Sequence, residues 1–225
     1  PMTRIVTLFH SGYGHTRRQA EAFHAGAASV PGTSATLVAI DADGSLPEGG
    51  WEALAAADGI AFGSPTYMGG PSWQFKRFAD ASSKAWAAQA WKDKVAAGFT
   101  NSASINGDKH STLHYMVTLA MQHGMLWVGT GLMPANTKAA NRNDVNWLGS
   151  STGAMAQSPA APRSSRATSP RSMSTSASPR SATSASKPVP ASSLARAASA
   201  AARSGNTSRS TRRRSGCTNS SMRAS

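Results

Sequence analysis

His10-Ser11-Gly12-Tyr13-Gly14-His15-Thr16 lies between an apolar run, Arg4-Ile5-Val6-Thr7-Leu8-Phe9, and a segment in which Ala20, Phe23, Ala27 and Val30 recur at three and four residues. A strand, a tight turn and a helix start are expected, with Pro31-Gly32 closing the helix. Such a turn presents unpaired backbone N–H groups and the positive end of a helix dipole, the chemistry that binds a phosphate. Glycines let backbone approach an anion closely, and the hydroxyls of Ser11 and Thr16 are further donors. A Walker loop is excluded because no Gly-Lys-Ser/Thr tripeptide is present. A dinucleotide fingerprint would use Gly12, Gly14 and an acid such as Asp41 after the next strand, but its third glycine position is Arg17. A mononucleotide loop fits better, beside the plainer reading of an ordinary strand-to-helix turn.

The elements that must position this loop follow the same rhythm. Thr36–Ile40 reads as a second strand, residues 51–57 as a short helix and Gly59–Gly63 as a third strand. The loop Ser64-Pro65-Thr66-Tyr67-Met68-Gly69-Gly70-Pro71 follows, with Pro71 in the first turn of a helix whose Phe75, Phe78 and Ser82 share a face. Val95–Thr100 is a fourth strand, Asn101–Gly107 a loop, and a helix from about Thr112 carries Leu113, Met116, Val117 and Ala120 and stops at Gly124. Leu126-Trp127-Val128 is a fifth strand. Alternation of this kind implies a three-layer α/β fold around a five-stranded parallel sheet. In the order 2-1-3-4-5, ligands sit at the carboxyl ends of strands one and three, where the loops after strands one, three and four converge.

Composition divides the chain near Ser158. Residues 1–157 carry 11 Lys+Arg against 10 Asp+Glu and every Trp, Tyr and Phe, whereas residues 158–225 carry 12 Lys+Arg and no acid. The basic charge therefore belongs to the tail. The first part is long enough for one full core. The single cysteine, Cys217, excludes an intramolecular disulfide, and no apolar run reaches membrane-spanning length or resembles a signal peptide, so a cytoplasmic location is the default expectation.

Three segments together resemble a known family. Ser11 to Thr16, Gly63-Ser64-Pro65-Thr66-Tyr67-Met68-Gly69 and Leu119-Ala120-Met121-Gln122-His123-Gly124-Met125 are similar to flavodoxin-like NAD(P)H:quinone oxidoreductases of the tryptophan-repressor-binding-protein (WrbA) type, from about residue 3 to Gln157. The resemblance implies a flavodoxin-like FMN domain, usually a homotetramer, that takes a hydride from NADH or NADPH and passes two electrons to a quinone in a ping-pong cycle. It implies that Ser11, Gly12, Tyr13, Gly14, His15 and Thr16 hold the FMN phosphate, with Tyr13 also facing the nicotinamide nucleotide. Pro65, Thr66 and Tyr67 would line the isoalloxazine ring. Asn101, Ser102, Ala103, Ser104, Ile105 and Asn106 would contact its polar edge, Trp86 would belong to the quinone pocket, and residues 143–149 would close over the flavin. The sequence departs from the family in two places. Members often show His-His-Gly-Met where this chain has Gln122-His123-Gly124-Met125, so His123 is only a weak catalytic candidate, and the loop after strand four is poorer in glycine. Because the cofactor carries the chemistry, no protein nucleophile is required.

Other candidates read more plainly. Tyr67 and Trp86 also suit a core or a subunit interface, His15 a helix terminus, and the Met residues core filling. His110 and His114 lack the Cys or carboxylates that would complete a metal site, so none is expected.

Residues 158–225 contain 21 Ser, 14 Ala and 11 Arg and cannot build a core, so a disordered low-complexity tail is expected, with a short helix at Ala195–Ala202 its one exception. The family would place a last amphipathic helix there. Two readings stand: an out-of-frame translation of a GC-rich gene, or a basic arm that binds nucleic acid. The main functional alternatives are a flavodoxin-like electron carrier without NAD(P)H activity and a nucleic-acid-binding protein acting through the tail.

Overall fold

The computed structural model describes residues 2–158. The tail expected over 158–225, with its short helix and the family's last helix, therefore lies outside the described residues apart from Ser158. The apolar run after Met2 forms β1 (Thr3–His10), and the first helix is α1 (His15–Ala28). Then come β2 (Thr33–Ile40), α2 (Gly50–Ala56), β3 (Gly59–Tyr67), β4 (Gly70–Pro71), α3 (Trp73–Ala81), α4 (Ser83–Ala87), β5 (Val95–Ser102), α5 (Lys109–Gln122), β6 (Leu126–Trp127) and β7 (Ala154–Gln157).

The sheet runs β2-β1-β3-β5-β6, all parallel, as the alternation of strands and helices implied. The fifth strand position is divided in two. β6 pairs with Val95 and Ala96 at the start of β5, and β7 pairs with Phe99 to Ser102 at its end, while residues 128–153 loop out between them. The Trp127 indole ties the pieces by donating to the Thr152 carbonyl at 2.8 Å. A Cβ on Gly153 would lie 2.5 Å from the Gly98 carbonyl oxygen and 2.8 Å from Leu113, so β7 re-enters only because that position is glycine.

Several boundaries differ from the sequence reading; among them, β5 runs on through Asn101 and Ser102, expected in a loop. β3 continues through Ser64, Pro65 and Thr66, which were expected in a loop, because the hydroxyls of Ser64 and Thr66 find buried partners. The true turn is Met68-Gly69, both at positive φ (48° and 78°), joining β3 to the antiparallel β4 as a hairpin. Pro71 consequently sits outside α3, whose N-cap is Ser72, with its hydroxyl accepting from the Phe75 N–H. α5 begins at Lys109, earlier than the apolar pattern indicated, and ends at Gln122, with Gly124 at φ 68° turning the chain just beyond its C-cap His123.

Strand alternation divides the apolar residues between two faces. Val6, Leu8, Ile60 and Phe62 pack against Leu54, Phe75, Phe78, Trp91, Leu113 and Met116 on one side. Ile5, Phe9, Ala61, Val95, Ala97 and Phe99 meet Ala20, Ala27 and the half-buried Phe23 of α1 on the other. The amino-terminal edge is locked by Asp58, whose carboxylate accepts from the Arg4 N–H at 2.7 Å and whose carbonyl accepts from Val95.

The second face is packed tightly at Gly63, where a Cβ would lie 2.3 Å from the Phe99 ring and 3.0 Å from Phe9. Gly63→Ala is expected to cost about 1–3 kcal/mol by overpacking, read as a lowered urea midpoint. At the opposite edge the Lys94 ammonium donates to the Leu54 carbonyl at 2.9 Å, and burial pulls its pKa from 10.5 down to about 8. Between these values the folded state binds fewer protons than the unfolded chain, so this group's contribution to stability rises with pH from about 8 to 10.5 and is lost as pH falls. Lys94→Met should flatten that part of the stability-against-pH curve relative to the wild type.

Candidate functional site

The carboxyl ends of β1, β3 and β5 bring three loops to one edge of the sheet. The first is the turn into α1. Its N-cap is Gly14, at φ 84°, with no side-chain cap. Among the described residues the backbone N–H groups of Gly12 through Thr16 have no hydrogen-bond partner, while the Arg17 N–H donates to the Ser11 hydroxyl at 3.1 Å. No acid occupies the first turn of α1; His15, Arg17 and Arg18 stand there instead. Cations at the positive end of a helix dipole are unfavourable unless an anion joins them. The donors, the charges and the glycine at the cap all fit a phosphate ester seated above the turn.

Thr16 is held in place by its hydroxyl. Its side chain is buried, and its Oγ1 accepts from the Asn101 Nδ2 at 2.8 Å, which fixes the hydroxyl while leaving its own hydrogen free to donate. Asn101 also donates to the Gln19 Oε1 at 3.1 Å, and Gln19 returns a bond to the Thr100 carbonyl. Asn101 is thus a strap between β5 and α1.

The second loop is the β3–β4 hairpin. Tyr67 and Tyr13 meet edge to face with ring centroids 6.1 Å apart, forming an aromatic wall across the first loop. Burial and the neighbouring Tyr13 both raise the Tyr67 pKa. A Cβ on Gly12 would stand 2.8 Å from the Tyr67 hydroxyl, so the glycine is what lets this wall close against the turn. Pro65 and Thr66 are buried, and the Thr66 hydroxyl bonds at 2.8 Å to both Thr100 and Thr112. Of the three ring-lining candidates only Tyr67 exposes its side chain.

The third loop, residues 102–108, wraps a buried lysine that sequence reasoning missed. Lys109 is 1% exposed, and its Nζ donates to the Ser102 hydroxyl (2.9 Å) and to the carbonyls of Ser104 (2.9 Å) and Ile105 (2.6 Å). Ala103, Ser104, Ile105 and Asn106 face outward. The signal available in the sequence was a lysine at a helix start, where the dipole disfavours one.

The remaining candidates stand apart. Trp86 is half exposed on α4 and belongs to neither core cluster. His123 is buried at the far end of α5, its Nε2 2.9 Å from the Ser82 hydroxyl and its ring 4.2 Å from that of Trp91, and burial lowers its pKa. It is a packing histidine at the opposite edge of the sheet from the three loops. The 143–149 segment lies within the excursion between β6 and β7 and is held by Asn146, which donates to the Leu132 carbonyl and accepts from the Ser150 N–H. His110 and His114 are exposed with rings 6.2 Å apart, and no cluster of three potential metal ligands occurs among the described residues. The Asp41 carboxylate closes its own turn by accepting from the N–H groups of Asp43 and Ser45.

Comparison with known proteins bears on the fold and family. Residues 50–139 match the family described as NADPH-dependent FMN reductase. Flavodoxin FldP of Pseudomonas aeruginosa is 53% identical over 158 residues, spanning 70% of this chain and 83% of that protein. The chain belongs to the WrbA-like flavodoxin family. An NAD(P)H dehydrogenase (quinone) of Acidithiobacillus ferrooxidans is 34% identical over 142 residues, 57% of this chain and 71% of its own. The crystal structure of a WrbA-like flavodoxin from Agrobacterium tumefaciens superimposes with a TM-score of 0.63 at 45% identity, covering 89% of this chain and 98% of that one. As a family member the chain is an oxidoreductase by descent, and no helix among its described residues is long and apolar enough to cross a membrane.

In this WrbA-like chain the strap from β5 to α1 sets the cradle. Asn101→Ala removes the donor to both Thr16 and Gln19 and is expected to cost about 1–3 kcal/mol, measurable by chemical denaturation.

Proposed function

We propose that the chain is an FMN-dependent NAD(P)H:quinone oxidoreductase. The observation that carries this reading is the uncapped, cation-bearing N-terminus of α1 facing the Tyr13–Tyr67 wall, which together suit a phosphate joined to a flat aromatic ring. The FMN reductase family match and the quinone dehydrogenase relatives support it.

When bound, FMN supplies the capacity to accept a hydride from NAD(P)H and deliver two electrons to a quinone. The chain's own residues bind and orient. The N–H groups of Gly12 to Thr16 hold the phosphate, and Tyr67, with Tyr13 beside it, walls the ring from bulk water. The outward face of residues 102–106 offers backbone donors to the ring's polar edge. Trp86, exposed on α4, is available to a quinone or to a second copy of the chain. No buried nucleophile is needed, and His123 is too far along α5 to take part.

A second reading, an electron carrier without NAD(P)H activity, has a specific support: the relative at 53% identity is named a flavodoxin. Steady-state oxidation of NADH or NADPH by the FMN-loaded full-length chain with a benzoquinone separates the two. Turnover that depends on both substrates is expected, whereas FMN binding without NAD(P)H oxidation would identify a carrier. Gly12→Asp places a carboxylate against the phosphate and the Tyr67 hydroxyl. It should weaken FMN binding by at least about tenfold, or 1.4 kcal/mol, in a fluorescence titration.

A further inference from the structure

Lys109 is fully buried, yet it forms no ion pair with a carboxylate among the described residues. Its three neighbours are all oxygen atoms that accept: the Ser104 carbonyl, the Ile105 carbonyl and the Ser102 hydroxyl. The Ser102 hydrogen is already committed to the Ser104 carbonyl at 3.0 Å, so toward Nζ that hydroxyl can only accept. Three acceptors converging on one nitrogen require three N–H bonds, which only the charged ammonium has. Burial lowers the Lys109 pKa, and the convergent oxygens oppose that by favouring the charged form.

The clasp also dictates which way the loop faces. In a trans peptide the C=O and the following N–H point in opposite directions. With the carbonyls of Ser104 and Ile105 drawn inward to Nζ, the N–H groups of Ile105 and Asn106 must point outward, and neither has a protein partner among the described residues. Gly107 makes the tight return possible: a Cβ there would stand 2.2 Å from the Ser102 hydroxyl. The result is a pair of free N–H donors backed by a buried positive charge, at the edge of the sheet that carries the α1 cradle.

We infer that Lys109 is a positioning residue that selects for the reduced form of the bound flavin. Its ammonium turns the Ile105 and Asn106 N–H groups toward the ring's polar edge and adds an uncompensated positive charge behind them. This rests on the FMN reading above. A hydride from NAD(P)H brings two electrons and one proton to the ring and leaves NAD(P)+, so the flavin gains one negative charge that the oxidised ring lacks. A fixed cation and oriented N–H groups stabilise that charge and leave the neutral oxidised ring nearly unaffected.

The test is a redox titration of the FMN-loaded full-length chain against indicator dyes, with neither NAD(P)H nor quinone present, comparing wild type, Lys109→Met and Lys109→Gln. Oxidised FMN should bind both variants within about threefold of wild type, while the affinity for reduced FMN falls about tenfold. For a two-electron couple that is a midpoint lowered by about 30 mV. Hydrogen exchange at residues 102–108 of the apoprotein should rise in both variants. An unchanged midpoint in either variant overturns the inference. So does equal weakening of both flavin forms, or loss of FMN by both variants, because a general structural role produces those results. Failure of the wild type to bind FMN would instead overturn the flavin reading itself, and would be visible before any variant is compared.

Discussion

The amide of Asn101 holds the candidate site together. It joins the end of β5 to Thr16 and Gln19 on α1, across more than eighty residues of sequence, in a buried setting where an unmet donor is costly. Beside it the hydroxyls of Thr66, Thr100 and Thr112 bond β3, β5 and α5 to one another. These polar contacts sit where a parallel sheet would otherwise fray, at the carboxyl ends of its strands. They fix the relative positions of the three loops.

That arrangement leaves the exposed chemistry to backbone. The first loop offers N–H groups at a glycine-capped helix start, and the third offers N–H groups turned outward by Lys109. Between them stand the paired rings of Tyr13 and Tyr67. A site made of oriented amides and flat aromatics suits a bound cofactor that does the reaction itself. The same frame serves an electron carrier or a reductase, which is why the enzyme assignment rests on relatives and chemistry beyond the fold.

Much of this was legible in the sequence because apolar periodicity is a strong signal. β1, β2, β5 and the apolar faces of α1, α3 and α5 follow directly from it, while the strand order, assumed from the doubly-wound fold type, matches the one found. Several of the misread parts share one physical origin, polar residues that are buried. Ser64 and Thr66 look like loop residues, but paired hydroxyls let β3 continue through them. Lys109 has the composition of a surface residue, and only the convergence of three oxygens from its own preceding loop reveals it as a core cation. β7 was invisible because Ala154-Met155-Ala156-Gln157 lacks β-branched residues and owes its place to pairing with β5.

The central claim is that the α1 N-terminus is built for a phosphate. Titrating the full-length chain with FMN and with riboflavin, which differ only by that phosphate, tests it most directly. FMN should bind at least about a hundredfold more tightly, about 2.7 kcal/mol. Equal affinity for the two flavins, or binding of neither, would contradict the account.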